Sequence, residues 1–213
     1  MATDSSFQVP LIVLTGGRSS RMGTDKALVT LNGEPMLSRI CRVLQPVASS
    51  VVVVAAADQE LPTLPDETAV QRDRIPHAGP LHGLIVGLEF LNQTLAPEQK
   101  VLVTSTDLPL VTTGVAKEII LRGVRSAAPV WITIKDNIRQ PFPGVYQVSL
   151  LNELRNAFDE GERSIRTATK RAQTVDVSAL SLSGNESEFL SNVNSPDDLK
   201  LIRRMIEARD EHP

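Results

Sequence analysis

A glycine-rich, cationic segment follows the first apolar run of the 213-residue chain. In "LTGGRSSRMGTDK", which ends at Lys26, the adjacent Gly16 and Gly17 allow the backbone to approach a ligand with its N–H groups exposed. Arg18, Arg21 and Lys26 add positive charge for several phosphate groups. The combination predicts a site for a polyphosphate.

The spacing of these residues differs from two known phosphate loops. A Walker loop has four residues between its first glycine and a Gly-Lys pair, whereas five residues separate Gly17 from Gly23 and Thr24 follows. The dinucleotide fingerprint has one residue between its first two glycines, but Gly16 and Gly17 are adjacent. A P-loop is therefore excluded, and a nicotinamide-dependent redox enzyme is disfavoured.

A carboxylate ends a later apolar run, in "VLVTSTDLPL". Asp107 follows a predicted strand, and Pro109 prevents that strand from continuing. Because ligands of open α/β sheets bind beyond the carboxyl ends of the strands, we expect Asp107 beside the glycine segment. A magnesium ion takes one or two carboxylates plus phosphate oxygens, so Asp107 is a candidate Mg²⁺ ligand. An aspartate that caps the following turn is the alternative.

The elements that position these residues follow an α/β pattern. Runs of β-branched residues alternate with helical spacing, which predicts a mostly parallel, twisted sheet with helices on both faces. The predicted core strands are Val9 to Thr15, Val51 to Ala57 and Val101 to Thr106. Later extended segments lie around Ala127 to Thr133 and Gly144 to Val148. Predicted helices cover "PMLSRICRVLQPV", Gly79 to Leu95, Val115 to Leu121, about Leu150 to Phe158, and a C-terminal stretch after the cap residue Ser195.

The chain is predicted to be one domain, 1–213. Within it, about 9–111 form the nucleotide-binding part, and about 112–213 form the acceptor-binding part and the closing helix. Gly79, Gly83 and Gly87 recur at every fourth residue of one predicted helix. They indicate either close packing of that helix on the sheet or a ligand against its start, near Gly79.

Five segments together carry a family resemblance. In chain order they are "LTGGRSSRMGTDKALVTLNGEPML", "RDRIPHAGPLHGLIVGLE", "TDLPL", "ERSIR" and "NVNSPDDL". They resemble the molybdenum cofactor guanylyltransferases, the molybdopterin-guanine dinucleotide biosynthesis protein A family of the nucleotidyltransferase superfamily. The match runs through nearly the whole chain. The double glycine, with Asp25 ahead of Lys26, is more similar to the guanylyl branch than to the cytidylyl branch.

This resemblance implies a Rossmann-like fold of the nucleotide-diphospho-sugar transferase type. It also implies transfer of GMP from GTP to the terminal phosphate of molybdopterin, with release of pyrophosphate. The implied catalytic residues are Lys26, Arg21 and Asp107, with Asp107 binding Mg²⁺. The implied ligand-binding residues are Leu14, Thr15, Gly16, Gly17, Lys26, Asp73, Gly79 and Asp107 for the nucleotide and its metal, and Asn192 and Asn194 toward molybdopterin.

Composition limits the partners and the compartment. Twenty-two basic and 25 acidic residues give a net charge of −3, which disfavours a nucleic-acid partner. The longest apolar runs are too short to span a bilayer, and one cysteine, Cys41, suits a buried position in a protein of the reducing cytoplasm. The resemblance makes molybdenum-insertion proteins and apo-molybdoenzymes candidate partners.

Other histidine, arginine and aromatic residues carry weaker signals. His82 is expected to be a surface or loop histidine, and Trp131 and Tyr146 are expected to pack in the core or at its rim. Arg163 and Arg166 in "ERSIR" either contact an anionic second substrate or belong to a solvated face.

Two other functions share most of these features. One is a nucleotidyltransferase that uses CTP or another nucleotide, or another phosphorylated acceptor. The other is a nucleotide-binding module without catalysis, which the intact pair of Lys26 and Asp107 disfavours.

Overall fold

The computed structural model describes residues 8–15, 25–166, 168–182 and 188–211, with the backbone alone for 208–211. The strands are β1 (Val9–Leu14), β2 (Thr30–Leu31), β3 (Glu34–Pro35), β4 (Ala48–Ala56), β5 (Thr68–Asp73), β6 (Lys100–Ser105), β7 (Val130–Lys135), β8 (Ile138–Gln147) and β9 (Gln173–Asp176). The α-helices are α1 (Met36–Leu44), α2 (Gly79–Leu91), α3 (Thr113–Arg125), α4 (Leu151–Asp159) and α5 (Pro196–Glu211).

Seven strands form one sheet in the order β5-β4-β1-β6-β8-β7-β9. The first four are parallel to one another, β8 runs antiparallel to β6 and β7, and β9 is parallel to β7. The mostly parallel sheet is therefore confirmed. Because β5, β4, β1 and β6 point the same way, their carboxyl ends meet at one edge, which we call the carboxyl edge.

The central strands are apolar because both of their faces are covered. Leu11 and Val13 of β1 point to one face, where α1 and α3 pack, and Ile12 and Leu14 point to the other, where α2 and α4 pack. All four of these side chains are buried. The predicted helices on both faces are confirmed, and Trp131 and Tyr146 lie in the core as expected.

Two of the regularly spaced glycines bring α2 against β1. A Cβ on Gly87 would lie 2.9 Å from Ile12 Cδ1, and one on Gly83 would lie 3.5 Å from Leu14 Cδ2. These distances support the packing interpretation for both residues, since a larger side chain at Gly87 would push the helix off the sheet.

Several elements differ from the sequence prediction. The hairpin β2–β3, the edge strand β5 and the short β9 were not predicted, and α2 ends at Leu91 rather than at Leu95. Strand β5 was missed because "TAVQRD" is half exposed and mostly polar, as is common at a sheet edge. Within the described ranges, no helix has both the length and the hydropathy needed to cross a membrane.

Helix α5 closes the molecule over the β2–β3 hairpin. A small apolar cluster, here called the C-terminal cluster, joins the two; its buried members are Val29, Leu31, Met36, Leu110, Val193, Ile202 and Ile206. The helix begins at Pro196, directly after the predicted cap residue Ser195, whose Oγ accepts from the Asp198 N–H at 3.2 Å. Asp198 Oδ2 accepts in return from the Ser195 N–H at 2.8 Å, which is a reciprocal capping arrangement.

Candidate active site

The carboxyl edge is centred on β1, which lies between β4 and β6. The Thr15 N–H donates to the Val54 carbonyl at 2.9 Å, and the Thr106 N–H donates to the Leu14 carbonyl at 3.0 Å. Asp107 follows directly, half-buried, and its Oδ1 accepts from Ser105 Oγ at 2.5 Å. The structure thus places Leu14, Thr15 and Asp107 at the same edge, as the sequence predicts.

Lys26 and Asp107 are connected through two consecutive residues before α5. Lys26 Nζ donates to Asn194 Oδ1 at 2.7 Å, and the Val193 N–H donates to the Asp107 carbonyl at 2.9 Å. Lys26, Asp107 and Asn194 are called the lysine cluster below. Its members come from the segment after β1, the end of β6 and the segment before α5.

The C-terminal cluster explains why these distant segments meet. Val29 and Leu31 follow Lys26, Leu110 follows Asp107, and Val193 precedes Asn194, and all four are buried together with α5. Burial of several aliphatic side chains stabilises such an arrangement by about 1.5–3 kcal/mol for each fully buried side chain. The apolar packing of the C-terminal cluster therefore positions the adjacent polar residues of the lysine cluster.

Asp107 is suited to a hard divalent cation. One carboxylate oxygen accepts from Ser105 Oγ, and oxygen donors of this kind are the ligands that Mg²⁺ prefers. Among the described residues, no group of three or more His, Cys, Asp and Glu side chains could hold a metal alone.

A second polar group lies at the carboxyl end of β5. Asp73 Oδ1 lies 2.8 Å from His82 Nδ1 in the first turns of α2 and accepts from the Ile75 N–H at 3.0 Å. The His82 ring lies 4.7 Å from the Phe158 ring. Asp73, His82, Phe158 and Arg163 are called the histidine cluster. Strand β5 is three strand positions from β6, which separates the two strands by roughly 14 Å at the usual spacing.

The expectation for His82 was wrong. Its side chain is 14% exposed and lies in a helix, held by a carboxylate on one side and an aromatic ring on the other. Position 82 lies within the helix that the sequence predicts from Gly79 to Leu95, but the proline and glycines around the histidine gave no signal for the partial burial of its side chain. Pro80 occupies the first turn of α2, where proline fits a helix.

Arg163 joins the histidine cluster through packing. Its guanidinium carbon lies 4.0 Å from the centre of the Phe158 ring, and Nη1 donates to the Phe158 carbonyl at 2.7 Å. The Arg163 carbonyl would lie 2.6 Å from a Cβ on Gly79, whose φ is +79°. Gly79 therefore allows close contact between the start of α2 and the 162–166 segment. Arg166 is exposed.

The remaining predicted site residues are either exposed or lie outside the residues that the structure describes. Asn192 is exposed in the segment before α5. Gly16, Gly17, Arg18 and Arg21 lie outside the described residues.

Sequence reasoning missed Gln59, which follows β4 at the same edge. Its Nε2 donates to the Thr15 carbonyl at 3.0 Å and to Asp25 Oδ1 at 2.9 Å. A glutamine in a polar segment gives little signal, and only the position of "ADQ" directly after a core strand could have drawn attention to it.

The Asp198 carboxylate also supports the lysine cluster. Hydrogen bonds from the Asn194 backbone N–H, the Ser195 side chain and the Ser195 N–H lower the pKa of Asp198, and the Lys26 charge lowers it further. The burial of Asp198 acts in the opposite direction. The backbone of Asn194 is thus fixed from one side by Asp198, and its side chain accepts from Lys26 on the other.

A surface groove of about 400 Å³ shares no lining residue with either cluster. It runs between β5 and the later turns of α2, and Arg72 and Arg74 lie along it together with Glu89. This groove was not predicted, and its two arginines make it a competing position for an anionic ligand.

The family of the chain follows from its sequence matches. The MobA-like NTP transferase domain matches residues 11–177, so the chain belongs to the MobA-like NTP transferase family. The prediction of a nucleotidyltransferase is confirmed at this level.

Individual relatives carry names that are more specific than that of the family. The chain is 32% identical over 210 residues to the probable molybdenum cofactor guanylyltransferase of Chloroflexus aggregans, covering 92% of this chain and 93% of that protein. It is 30% identical over 188 residues to the molybdenum cofactor guanylyltransferase of Pseudomonas entomophila, covering 88% and 94%. The predicted resemblance is confirmed.

A solved structure has the same fold. Molybdopterin-guanine dinucleotide biosynthesis protein A from Archaeoglobus fulgidus superposes with a TM-score of 0.75 at 21% identity, covering 93% of this chain and 99% of that one. This likeness confirms the predicted α/β fold of the nucleotide-diphospho-sugar transferase type.

Proposed function

We propose that this protein transfers GMP from GTP to the terminal phosphate of molybdopterin and releases pyrophosphate. One observation carries the proposal beyond the names of the relatives. Lys26 and Asp107 come to the same edge of the sheet through the adjacent residues Val193 and Asn194. A cation and a carboxylate in this relation suit a metal-bound triphosphate.

In the proposed reaction, a terminal phosphate oxygen of molybdopterin attacks the α-phosphorus of GTP. One P–O bond forms, the bond to the β-phosphate oxygen breaks, and pyrophosphate leaves with the electron pair. A phosphate monoester is largely ionised at neutral pH, so the attack needs no general base. Catalysis therefore depends on positioning and on stabilisation of negative charge.

The residues take the following roles in the proposal. Lys26 and Arg21 stabilise charge on the departing pyrophosphate. Asp107 holds the Mg²⁺ ion, which reduces the repulsion between the two anionic substrates. The family resemblance assigns Asp73 to the nucleoside, and its carboxylate is held at the carboxyl edge by His82 and by the Ile75 N–H.

The remaining assignments rest on the family resemblance. The backbone of Leu14, Thr15, Gly16 and Gly17 surrounds the base and ribose, with Gly79 nearby at the start of α2. Asn192 and Asn194 face molybdopterin. Molybdenum-insertion proteins and apo-molybdoenzymes are the proposed protein partners, in the cytoplasm.

Mass spectrometry tests the proposed reaction directly. The purified protein is incubated with Mg²⁺, molybdopterin and, separately, GTP, CTP, UTP or ATP. We expect the guanine dinucleotide and pyrophosphate with GTP, and neither product when EDTA removes the metal. A clear preference for CTP would replace the guanylyl assignment with a cytidylyl one. GTP binding without any product would favour a non-catalytic nucleotide-binding module.

A further inference from the structure

Asp25 precedes Lys26, yet the proposed reaction assigns it no role. Its Oδ1 accepts from the Ala27 N–H at 2.9 Å and from Gln59 Nε2 at 2.9 Å. The Leu28 N–H also donates to the Asp25 carbonyl at 3.0 Å, which closes the turn that contains Lys26. The carboxylate of Asp25 thus holds both sides of the catalytic lysine within one turn, and Gln59 holds that carboxylate.

Gln59 uses its side-chain amide for contacts with two other segments and with its own turn. Nε2 donates to the Thr15 carbonyl at the end of β1 and to Asp25, and Oε1 accepts from the Ala56 N–H at 3.1 Å. The amide orientation is fixed by this pattern, because the two acceptors require the NH₂ group and the backbone N–H requires the oxygen.

Arg72 holds the backbone of the same turn. Its Nη1 donates to the Gln59 carbonyl at 2.7 Å and to the Ala56 carbonyl at 3.0 Å. Gln59 is therefore fixed to the sheet through the ends of β4 and β5, so its amide is a firm support for Asp25.

We infer that Gln59 is a positioning residue for Lys26 and acts through the Asp25 carboxylate. This inference rests on the proposed function, in which Lys26 stabilises charge on the leaving group. Lys26 is fixed on one side by the bond from its Nζ to Asn194 Oδ1 and on the other by the Asp25 turn. Removal of the Gln59 amide leaves the turn with one support fewer, and a displacement of about 1 Å can cost up to roughly a hundredfold in rate.

The chain contains a matched control for Gln59. In the turn before β6, Gln99 Oε1 accepts from the Ala96 N–H at 2.7 Å, and the Gln99 N–H donates to the Ala96 carbonyl at 3.0 Å. Gln59 makes the same two contacts with Ala56, at 3.1 and 3.2 Å. The turn with Gln99 lies before the amino end of β6, at the opposite edge of the sheet from Asp107. The two glutamines therefore differ in what their Nε2 groups contact.

The first test compares the kinetics of Gln59→Ala and Gln99→Ala with GTP. We expect kcat to fall roughly tenfold for Gln59→Ala, with a smaller change in KM, and to stay within about twofold of wild type for Gln99→Ala. Equal losses in the two variants would overturn the inference. Gln59→Met keeps the side-chain length without the amide and replaces Gln59→Ala if that variant does not fold. Failure of both variants to fold would mean a structural role only.

The second test asks whether Gln59 acts through Lys26. In a Lys26→Ala background the lysine is already lost, so Gln59→Ala should lower kcat by less than about twofold more. If the fold-loss of kcat in the double variant equals the product of the losses in Gln59→Ala and Lys26→Ala, the inference is overturned. A merely structural role of Gln59 predicts that product.

An exchange of groups tests the contact with Asp25 itself. Gln59→Glu places a carboxylate beside Asp25 and should lower kcat more than Gln59→Ala does. The added change Asp25→Asn returns a donor to the contact, so it should recover part of that loss. No recovery in the double variant would contradict the role assigned to this contact.

Binding of GTP separates this inference from the proposed function. If wild type binds GTP but forms no dinucleotide, the proposed reaction fails, and the inference is decided by GTP affinity. Gln59→Ala should then bind GTP severalfold more weakly than Gln99→Ala does. Equal affinities would overturn the inference, as would a wild-type protein that does not bind GTP at all.

Discussion

Two polar clusters share the carboxyl edge of the sheet, and they are assembled in different ways. In the lysine cluster, Lys26 and Asn194 are 168 positions apart in the chain, and the contact depends on α5 and the C-terminal cluster. In the histidine cluster, Asp73 and His82 are nine positions apart, within one strand-turn-helix unit, and their side chains are 16% and 14% exposed.

This difference suggests that the two clusters have different functions in the proposed reaction. The lysine cluster offers a cation and a carboxylate beside the partly exposed end of the sheet, where phosphates can meet them. The histidine cluster satisfies its polar atoms largely within the protein, so that the Asp73 carboxylate is held in one orientation. The first arrangement suits the reacting phosphates, and the second suits a part of the substrate that does not change.

Substitutions in the lysine cluster should have the largest effect. We expect Lys26→Ala and Asp107→Asn each to lower kcat by about a hundredfold or more, as is typical when a group that stabilises transition-state charge is removed. Steady-state kinetics with GTP and molybdopterin measures this effect. Lys117→Ala changes an exposed lysine of α3 and serves as the control. Rates near wild type in both Lys26→Ala and Asp107→Asn would refute the roles of these two residues.

Substitutions in the histidine cluster should alter binding more than turnover. His82→Phe keeps a ring against Phe158 but removes the donor to Asp73, whereas His82→Asn keeps a donor near Nδ1 and removes the ring. We expect the KM for GTP to rise about tenfold in His82→Phe and much less in His82→Asn, with kcat changed little in either. The opposite order would show that His82 acts through packing alone.

Loosening the cap of α5 should have a smaller effect on the lysine cluster. Asp198→Ala removes the acceptor of the Asn194 and Ser195 N–H groups, at a cost of about 1 kcal/mol in the free energy of unfolding. Urea denaturation measures this loss, and kcat should fall by less than the loss in Lys26→Ala. Asp197→Ala is the control, because Asp197 lies in the same turn and pairs with Lys200. Equal stability of the two variants would contradict the role of the Asp198 cap.

The smallest expected effect is the pH dependence of that cap. Hydrogen bonds lower the pKa of Asp198 in the folded state below its ordinary value of 3.8. A depressed carboxylate pKa stabilises the fold above the unfolded-state pKa, and this stabilisation is lost as the pH falls through the folded-state pKa. Between neutral pH and about pH 3, wild type should therefore lose slightly more unfolding free energy than Asp198→Asn does. An equal or smaller loss in wild type would contradict this assignment.

The fold was largely predictable where local patterns decide the structure. The runs around β1, β4 and β6 have apolar, mostly β-branched centres, which predicts strands that are buried on both faces. "NSPDDL" identified the start of α5 because its cap, proline and acidic residues act within one turn. Strand β5 carries no such pattern, since an edge strand with one covered face tolerates "TAVQRD".

The site was predictable in part for the same reason. Lys26 and Asp107 follow strands that were predicted to be parallel in one sheet, so a shared edge followed from that architecture. The contact between Lys26 and Asn194 depends on how α5 packs on the hairpin, which no local pattern encodes. The contacts of Gln59 and His82 were missed because they depend on segments that are distant in the sequence and not on the neighbouring residues.

A crystal structure of the protein with Mg²⁺ and a non-hydrolysable GTP analogue tests the central claim most directly. The account predicts that the phosphates lie between Lys26 and Asp107, with the metal on the Asp107 carboxylate and the nucleoside toward Asp73. Phosphates bound instead along Arg72 and Arg74 in the groove between β5 and α2, with Lys26 and Asp107 untouched, would contradict it.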